Sequence, residues 1–201
     1  MNIFKRTTVL TALGLLVLAA GAPIPGAQAA DYVIDASHSS VSFKVRHMMV
    51  SKVSGTFDSF SGSATFVEGD PGSWSVEAVI DMASVNTNDE KRDDHLRNPD
   101  FFDVETHPEM TFKSTGVEAD GDDYVLKGEL TLMGVTKPVE LELEFNGEIA
   151  DPWGNQRAGF SAEGKLDRRD FGIVWNKSMD KGGIVVGNEV SIDLEMELIR
   201  Q

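Results

Sequence analysis

The segment from Glu129 to Phe145 alternates apolar and polar residues, and this alternation limits the folds open to the chain more than any other feature. Its second half interleaves apolar residues with glutamates: Val139, Leu141, Leu143 and Phe145 with Glu140, Glu142 and Glu144. A period of two is needed by a β-strand that has one buried and one solvated face. Residues 134–138, which include Gly134 and Pro138, predict a turn between two antiparallel strands. The hairpin is therefore predicted to form a wall with its apolar face inward.

Similar alternation recurs along the chain and predicts about eight long strands. One short helix is predicted from Asn88 to about Leu96, because Thr87 and Glu90 have the spacing of a capping box. Eight antiparallel strands that each have one apolar face can bury these faces by closing into a barrel. Alternation alone is equally compatible with a sandwich, but strands of about ten residues favour an extended barrel. The predicted fold class is all-β: an extended antiparallel eight-stranded barrel with one short helix.

Small residues at inward positions leave the nature of the interior open. They could leave space along the barrel axis, or they could admit side chains of neighbouring strands into a filled core. These residues are Gly55, Ala78, Gly128, Ala162 and Gly164.

The N-terminal residues have the pattern of a cleavable export signal. Lys5 and Arg6 precede an uncharged apolar run, and the run is followed by a small-x-small site that ends at Ala29. The run falls short of the ~20 residues of a membrane-spanning helix, so a membrane anchor is the weaker alternative. We predict a signal peptide over residues 1–29 and a single domain over residues 30–201.

The absence of cysteine and the excess of acidic residues exclude several classes of site. With no Cys, the chain has no disulfide, no thiolate metal site and no thiol catalysis. The formal net charge is −15, from 33 acidic residues against 18 Lys and Arg, and becomes about −17 once Lys5 and Arg6 are removed. Such a charge disfavours nucleic-acid binding and electrostatic docking to anionic membranes. No other segment reaches membrane-spanning length, so stable membrane insertion is not expected.

Seven motifs, in this order along the chain, resemble the YceI-like family of lipid- or polyisoprenoid-binding proteins. The resemblance runs from about Tyr32 to the C-terminus. The motifs lie at Asp35–His47, Ser51–Phe57, Arg92–Val104, His107–Ser114, Gly128–Val139, Arg168–Gly172 and Val186–Val190.

The resemblance implies a lipocalin-like barrel whose apolar tunnel holds a long-chain lipid, such as a polyprenyl compound or an isoprenoid quinone. It also implies a periplasmic or secreted location, in agreement with the predicted export signal. Inward-facing apolar residues are the predicted tunnel lining, with plain core packing as the alternative for each of them. The predicted tunnel residues are Phe43, Val45, Phe57, Val76, Ile80, Met82, Met110, Phe112, Leu130, Leu132, Leu141, Leu143 and Phe160.

Four polar residues are predicted to contact the head group of the lipid. His47 keeps inward parity at the end of a strand, and Arg92 and His95 lie on the predicted helix. Arg168 also keeps inward parity, and its guanidinium could bind a pyrophosphate. An ion pair of Arg168 with Asp170 or Asp93 is the favoured alternative.

The prediction is a binding protein rather than an enzyme, with no cofactor, no metal and no catalytic residue. A metal-dependent or hydrolytic enzyme is the alternative, because His95, Glu105, His107 and Glu109 form an acid and imidazole cluster in the sequence. A purely structural protein with a filled barrel is a third possibility. The sequence leaves open the identity of the lipid and the presence of a homodimer.

Overall fold

The structure is a computed structural model, and it describes residues 30–178 and 183–201. The predicted signal peptide, residues 1–29, lies outside the described residues. Within them, no helix has the length and apolar character needed to cross a membrane.

Eleven strands and one α-helix make up the described part of the chain. The helix α1 spans Glu90–Arg97, between β6 and β7. The strands are β1 Ala30–Ile34, β2 Ser40–His47, β3 Ser51–Phe57, β4 Phe60–Phe66, β5 Ser75–Asp81, β6 Val85–Asn86, β7 Glu109–Asp120, β8 Asp123–Leu132, β9 Val135–Ala150, β10 Gln156–Asp167 and β11 Val186–Arg200.

The strands close into an antiparallel barrel with eight wall positions. Three of these positions are each shared by two consecutive strands: β1 and β2, β3 and β4, and β5 and β6. Each of the other five positions holds one strand, from β7 to β11. Closure occurs at β11, which pairs with β1 near Arg200 and with β2 along its first part. The predicted closed eight-stranded antiparallel barrel with one helix is confirmed, and a sandwich is excluded.

The three divided wall positions are interrupted beside one another. The break between β3 and β4 lies next to a 3₁₀ turn, Met82–Ser84, that separates β5 from β6. The Asp58 N–H donates to the Ser84 carbonyl at 3.2 Å, and the Asp81 N–H donates to the Ser59 carbonyl at 2.9 Å. Because these bonds satisfy backbone groups where the ladder stops, the wall can bend here without leaving these groups unpaired.

The hairpin that dominates the sequence forms with a different turn from the predicted one. Leu141 of β9 pairs with Leu126 of β8, and both are buried, as the alternation predicts. The turn, however, is the two-residue Met133–Gly134, with φ of 54° and 70°, so Pro138 lies within β9. Positive φ at both central positions is the sign pattern of a type I′ hairpin turn, which Gly tolerates and Met does not favour.

The predicted capping box is also wrong. Helix α1 begins at Glu90 with Asp89 as its N-cap, and the Asp89 carboxylate accepts from the Arg92 N–H at 3.1 Å. Thr87 bonds instead to buried Asp93, which accepts from the Thr87 N–H at 2.9 Å and from its Oγ1 at 2.5 Å. Because Thr87 satisfies a buried carboxylate, it is not free to cap the helix.

Three of the small inward residues admit neighbouring side chains. A Cβ at Gly55 would lie 2.5 Å from Phe43 Cζ, and one at Gly164 would lie 2.4 Å from Leu141 Cδ2. At Gly128 the Phe112 ring occupies the space of the missing side chain, with Phe112 Cζ 2.3 Å from the position of a Cβ. These glycines therefore let large side chains lie flat against the wall, rather than leaving empty space.

An aromatic cluster fills the end of the barrel where β11 ends. Ring centroids within it are 4.6 to 6.0 Å apart, the range of favourable aromatic pairs. The Tyr32 hydroxyl donates to Glu148 at 2.8 Å and the Trp74 indole donates to the Val67 carbonyl at 2.7 Å. The cluster consists of Tyr32, Phe66, Trp74, Tyr124, Phe145 and Phe160.

Tyr32 should ionise late, because burial together with the hydrogen bond to Glu148 raises its pKa to about 12. A phenol that stays protonated in the folded state stabilises the fold below pH ~10 and loses this contribution as the pH rises through the folded pKa. We expect an ultraviolet absorbance titration of the native protein to show one tyrosine ionising near pH 12, and Tyr32→Phe to abolish that step. A native protein with no step near pH 12, or a step there that persists in Tyr32→Phe, would contradict the assignment.

Candidate ligand cavity

A cavity of about 430 Å³ lies inside the barrel. Its size falls within the ~300–1,000 Å³ of small-molecule sites. All thirteen side chains predicted for the tunnel line it. Several of them, including Met82 and Leu130, also belong to the packed core, so core packing and cavity lining are not alternatives here. Contact of these residues with a ligand stays a prediction.

Two further parts of the chain are notable among the other lining residues. Ile173 and Trp175 follow a 3₁₀ turn at Arg168–Phe171, in a segment whose sequence has no period of two. No alternation could therefore have identified them. Strand β11 does alternate, and this signal could have found its contribution: Val190, Ile192, Leu194, Met196 and Leu198.

The titratable side chains of the lining are all arginine or histidine. Among the described residues, no aspartate or glutamate lines the cavity, although acidic residues far outnumber basic ones in the chain. All four predicted head-group residues are present, together with one residue that was not predicted. They are Arg46, His47, Arg92, His95 and Arg168. Such a lining favours a ligand whose polar end carries hydrogen-bond acceptors or negative charge.

Helix α1 positions two of these residues against the cavity. The Arg92 Nε donates to Thr87 Oγ1 at 2.7 Å, and its Nη2 donates to the Thr87 carbonyl at 2.9 Å. The His95 ring lies edge-on to Phe101 and Trp175, with centroid distances of 5.0 Å to each, and its Nε2 is 2.9 Å from Asp100. These contacts fix the orientation of both side chains.

The predicted ion pair of Arg168 is wrong. Its guanidinium donates to three backbone carbonyls, those of Ile173 at 2.7 Å, Gly187 at 2.8 Å and Val186 at 3.4 Å, and not to Asp170 or Asp93. The side chain is buried, and burial lowers the pKa of Arg168. Arg168 therefore ties the segment after the 3₁₀ turn to the start of β11, by donating to carbonyls of both segments.

The cluster predicted for an enzyme does not assemble. Among residues 30–178 and 183–201, the side chains of His95, Glu105, His107 and Glu109 do not gather within ligand distance of one another. Asp100 is the partner of His95, and the His107 ring lies close to Gly134. A different acid and imidazole group does converge, on the outer wall, and consists of Asp35, His38 and Glu197.

Arg157 supplies the positive charge to this outer group. Its Nη1 donates to Asp35 at 2.8 Å and also to Glu197, and its Nε donates to Asp151 at 2.8 Å. Arg157, followed by Asn155, holds the pKa of Asp151 well below its usual range. The Ser37 hydroxyl, followed by Arg157, does the same for the pKa of Asp35. The arrangement fastens the β9–β10 loop to the side of the barrel.

Replacing Arg157 with Gln should therefore destabilise the protein in a pH-dependent way. A carboxyl group with a lowered folded pKa contributes stability above its unfolded pKa of ~3.9 and loses it as the pH falls. We expect Arg157→Gln to lower the free energy of unfolding, with the full loss above about pH 5. Below about pH 4 the difference in free energy between the variant and the parent should become smaller. Denaturant titrations at several pH values measure this. Lys113→Gln, which breaks an exposed ion pair with Glu77, is the control and should have a small effect. A deficit that is independent of pH would contradict the assignment.

The fold and the cavity together define a class of protein: a small closed β-barrel with an apolar internal cavity, as in the lipocalin-like barrels. The YceI-like domain profile matches residues 32–198. Protein YceI of Escherichia coli is 44% identical over 171 residues, which cover 84% of this chain and 87% of that protein. The chain therefore belongs to the YceI-like family, as its motifs predict.

Solved structures agree with this assignment. BcnA of Burkholderia cenocepacia is similar with a TM-score of 0.72 and 25% identity, over 82% of this chain and 98% of that one. A polyisoprenoid binding domain from Saccharophagus degradans, implicated in plant cell wall breakdown, is similar with a TM-score of 0.64. It covers 87% of this chain and 100% of that one, and at 18% identity it supports the fold alone.

Proposed function

We propose that this protein is a periplasmic carrier that holds a long-chain isoprenoid lipid, a polyprenyl compound or an isoprenoid quinone, in the barrel cavity. The observation that carries the proposal is the apolar cavity of about 430 Å³, lined from around the barrel wall. The family membership supports this ligand class, and a polyisoprenoid binding domain has the same fold. The export signal predicted at residues 1–29 supports the location.

Binding energy in such a cavity comes mainly from the tail of the lipid. Each buried methylene contributes ~0.8 kcal/mol, whereas one neutral hydrogen bond nets ~1 kcal/mol. A tail of several isoprene units therefore dominates the affinity. The arginine and histidine lining provides donors for a head group with oxygen acceptors. Binding, rather than catalysis, is the function that this arrangement serves.

The proposal predicts that filling the cavity lowers lipid uptake. Leu132 lines the cavity and is buried, so Leu132→Trp should displace part of the tail. Losing two buried methylenes weakens binding about tenfold. Uptake of a polyprenyl lipid or a quinone, followed by native mass spectrometry, measures the loss. Val45→Phe, from another part of the lining, should act in the same direction.

The matched control lies on the same strand. Glu129 is exposed on β8, so Glu129→Trp adds the same side chain to the outer surface and should leave uptake unchanged. Thermal unfolding of each variant separates a lost ligand from a lost fold. Undiminished uptake by both cavity variants in a folded state would place the ligand elsewhere.

A further inference from the structure

The β2–β3 turn has a backbone conformation that its residues do not favour. The Val50 N–H donates to the His47 carbonyl at 3.1 Å, and the two central residues, Met48 and Met49, have φ of 50° and 64°. Positive φ at both central positions is the sign pattern of a type I′ turn, for which Asn-Gly is the preferred sequence. Methionine has a Cβ that clashes in this region, so the turn is strained.

Packing does not explain the strain. Met133, in the β8–β9 turn, also has positive φ, but it is half-buried and packs against the core. Met48 and Met49 are 42% and 56% exposed, and the neighbouring Val50 is 83% exposed. Strained backbone that holds functional side chains is a recurrent feature of binding sites. Here it holds three consecutive apolar side chains in solvent.

The turn lies at the end of the cavity. His47 and Val53, which lie on either side of the turn, line the cavity, and so does Val185, whose carbonyl accepts from the Met48 N–H at 2.8 Å. The neighbouring segment is hydrogen-bonded to the same place, since the Val185 N–H donates to the Lys177 carbonyl at 3.1 Å. That segment exposes another apolar side chain, Val174, which is 68% exposed.

The two charged residues that flank the turn along the chain are both basic, whereas the chain as a whole is acidic. Arg46 and Lys52 lie directly opposite each other on β2 and β3, and both are exposed. Within the part of the chain that the structure describes, neither forms an ion pair. Like charges at directly opposed positions disfavour strand pairing, so an anionic partner would relieve their repulsion.

We propose that the turn patch, defined as Arg46, Met48, Met49, Val50 and Lys52, docks on an anionic lipid bilayer. The apolar side chains enter the acyl boundary while the two cations contact lipid phosphates. Acidic residues that lie further from the turn patch than the Debye length of ~8 Å oppose this little, because their charges are largely screened. Resting on the proposed function, docking brings the cavity end to the membrane that supplies or receives the lipid.

The double variant M48N/M49G tests the proposal without harming the turn. Asn-Gly suits positive φ, so we expect this variant to be at least as thermostable as the parent. Cosedimentation with vesicles of phosphatidylethanolamine and phosphatidylglycerol should nevertheless fall at least tenfold. The second variant, Val50→Ser, changes no strained position and should also weaken binding. Arg46→Ser with Lys52→Ser should reduce both binding and its dependence on salt.

The control is Trp153→Ser, because Trp153 is 83% exposed on the β9–β10 loop at the opposite end of the barrel. It should bind vesicles like the parent protein. Unchanged vesicle binding by M48N/M49G and by Val50→Ser would overturn the proposal. A second result would also overturn it: neither the parent nor M48N/M49G binds vesicles, and light scattering shows that the parent is a dimer and M48N/M49G is a monomer. The turn patch would then bind a second copy of the chain.

Native mass spectrometry of the same preparations separates this proposal from the proposed function. Vesicle binding by a protein that never carries lipid would support docking through the turn patch and contradict the carrier function. Lipid in the cavity of a protein that does not bind vesicles would contradict the docking proposal alone.

Discussion

Gly128→Val is expected to destabilise the protein by about 3 kcal/mol, because overpacking a well-filled interior costs about that much. A Cβ at Gly128 would lie 2.3 Å from Phe112 Cζ and 2.8 Å from the Lys113 carbonyl oxygen. The carbonyl belongs to the paired strand β7 and cannot move freely, so the Phe112 ring must be displaced. For a domain of this size the midpoint of thermal unfolding should fall by about 6–12 °C. The displaced ring lies in the cavity wall, so lipid uptake should fall as well.

The control for this prediction is Gly116→Val on β7. A Cβ at Gly116 would meet no atom within 4 Å, so the same substitution should change stability by less than ~0.5 kcal/mol. Thermal unfolding measures both variants. Equal midpoints for Gly128→Val and Gly116→Val would show that the Phe112 ring does not pack against Gly128.

Arg168→Leu is expected to cost about 3 kcal/mol, because it removes the side-chain donor of the Ile173 and Gly187 carbonyls; the Val186 carbonyl keeps a hydrogen bond from the Asn176 amide at 2.7 Å. The Arg168 side chain is only 4% exposed and donates to the carbonyls of Ile173, Val186 and Gly187. Leucine fills part of the space but offers no hydrogen bond. Because the 3₁₀ turn and the start of β11 lose their connection, the variant should also exchange amide hydrogens faster in these two segments.

Its neighbour provides the control. Arg169 is 55% exposed and bonds to Asp167, so Arg169→Leu removes the same group from an exposed position. Exposed ion pairs contribute ~0–1 kcal/mol, and a small change is expected. Denaturant unfolding compares the two variants. A similar small loss in both would mean that the carbonyl contacts of Arg168 do not stabilise the fold.

The wall of the barrel could be predicted from the sequence because alternation is a local property. Leu130, Leu132, Leu141 and Leu143 are all buried, as the hairpin pattern requires. The thirteen tunnel residues were selected by the same rule, and all of them line the cavity. All inward-facing side chains of a closed barrel face the same interior. Knowing which residues of each strand face inward is therefore nearly enough to list the residues that line the cavity.

Other features depend on contacts between distant segments, and the local pattern does not contain them. Trp175 reaches the cavity from a segment without periodicity, and two of the three carbonyl partners of Arg168 lie on β11, those of Val186 and Gly187. The small inward residues are compatible with either a filled core or an open cavity. The structure has features of both, because Phe112 lies over Gly128 and a cavity remains. The turn at Met133 was missed because methionine is an unusual residue at positive φ.

The most direct test of the carrier function is native mass spectrometry of the protein, purified without detergent from a bacterial periplasm. Solvent extraction then identifies any mass that is released. The proposed function predicts one stoichiometric hydrophobic adduct of the polyprenyl or isoprenoid quinone type. A protein that has its bare mass, and keeps it after incubation with polyprenyl lipids and isoprenoid quinones, would contradict the proposed function.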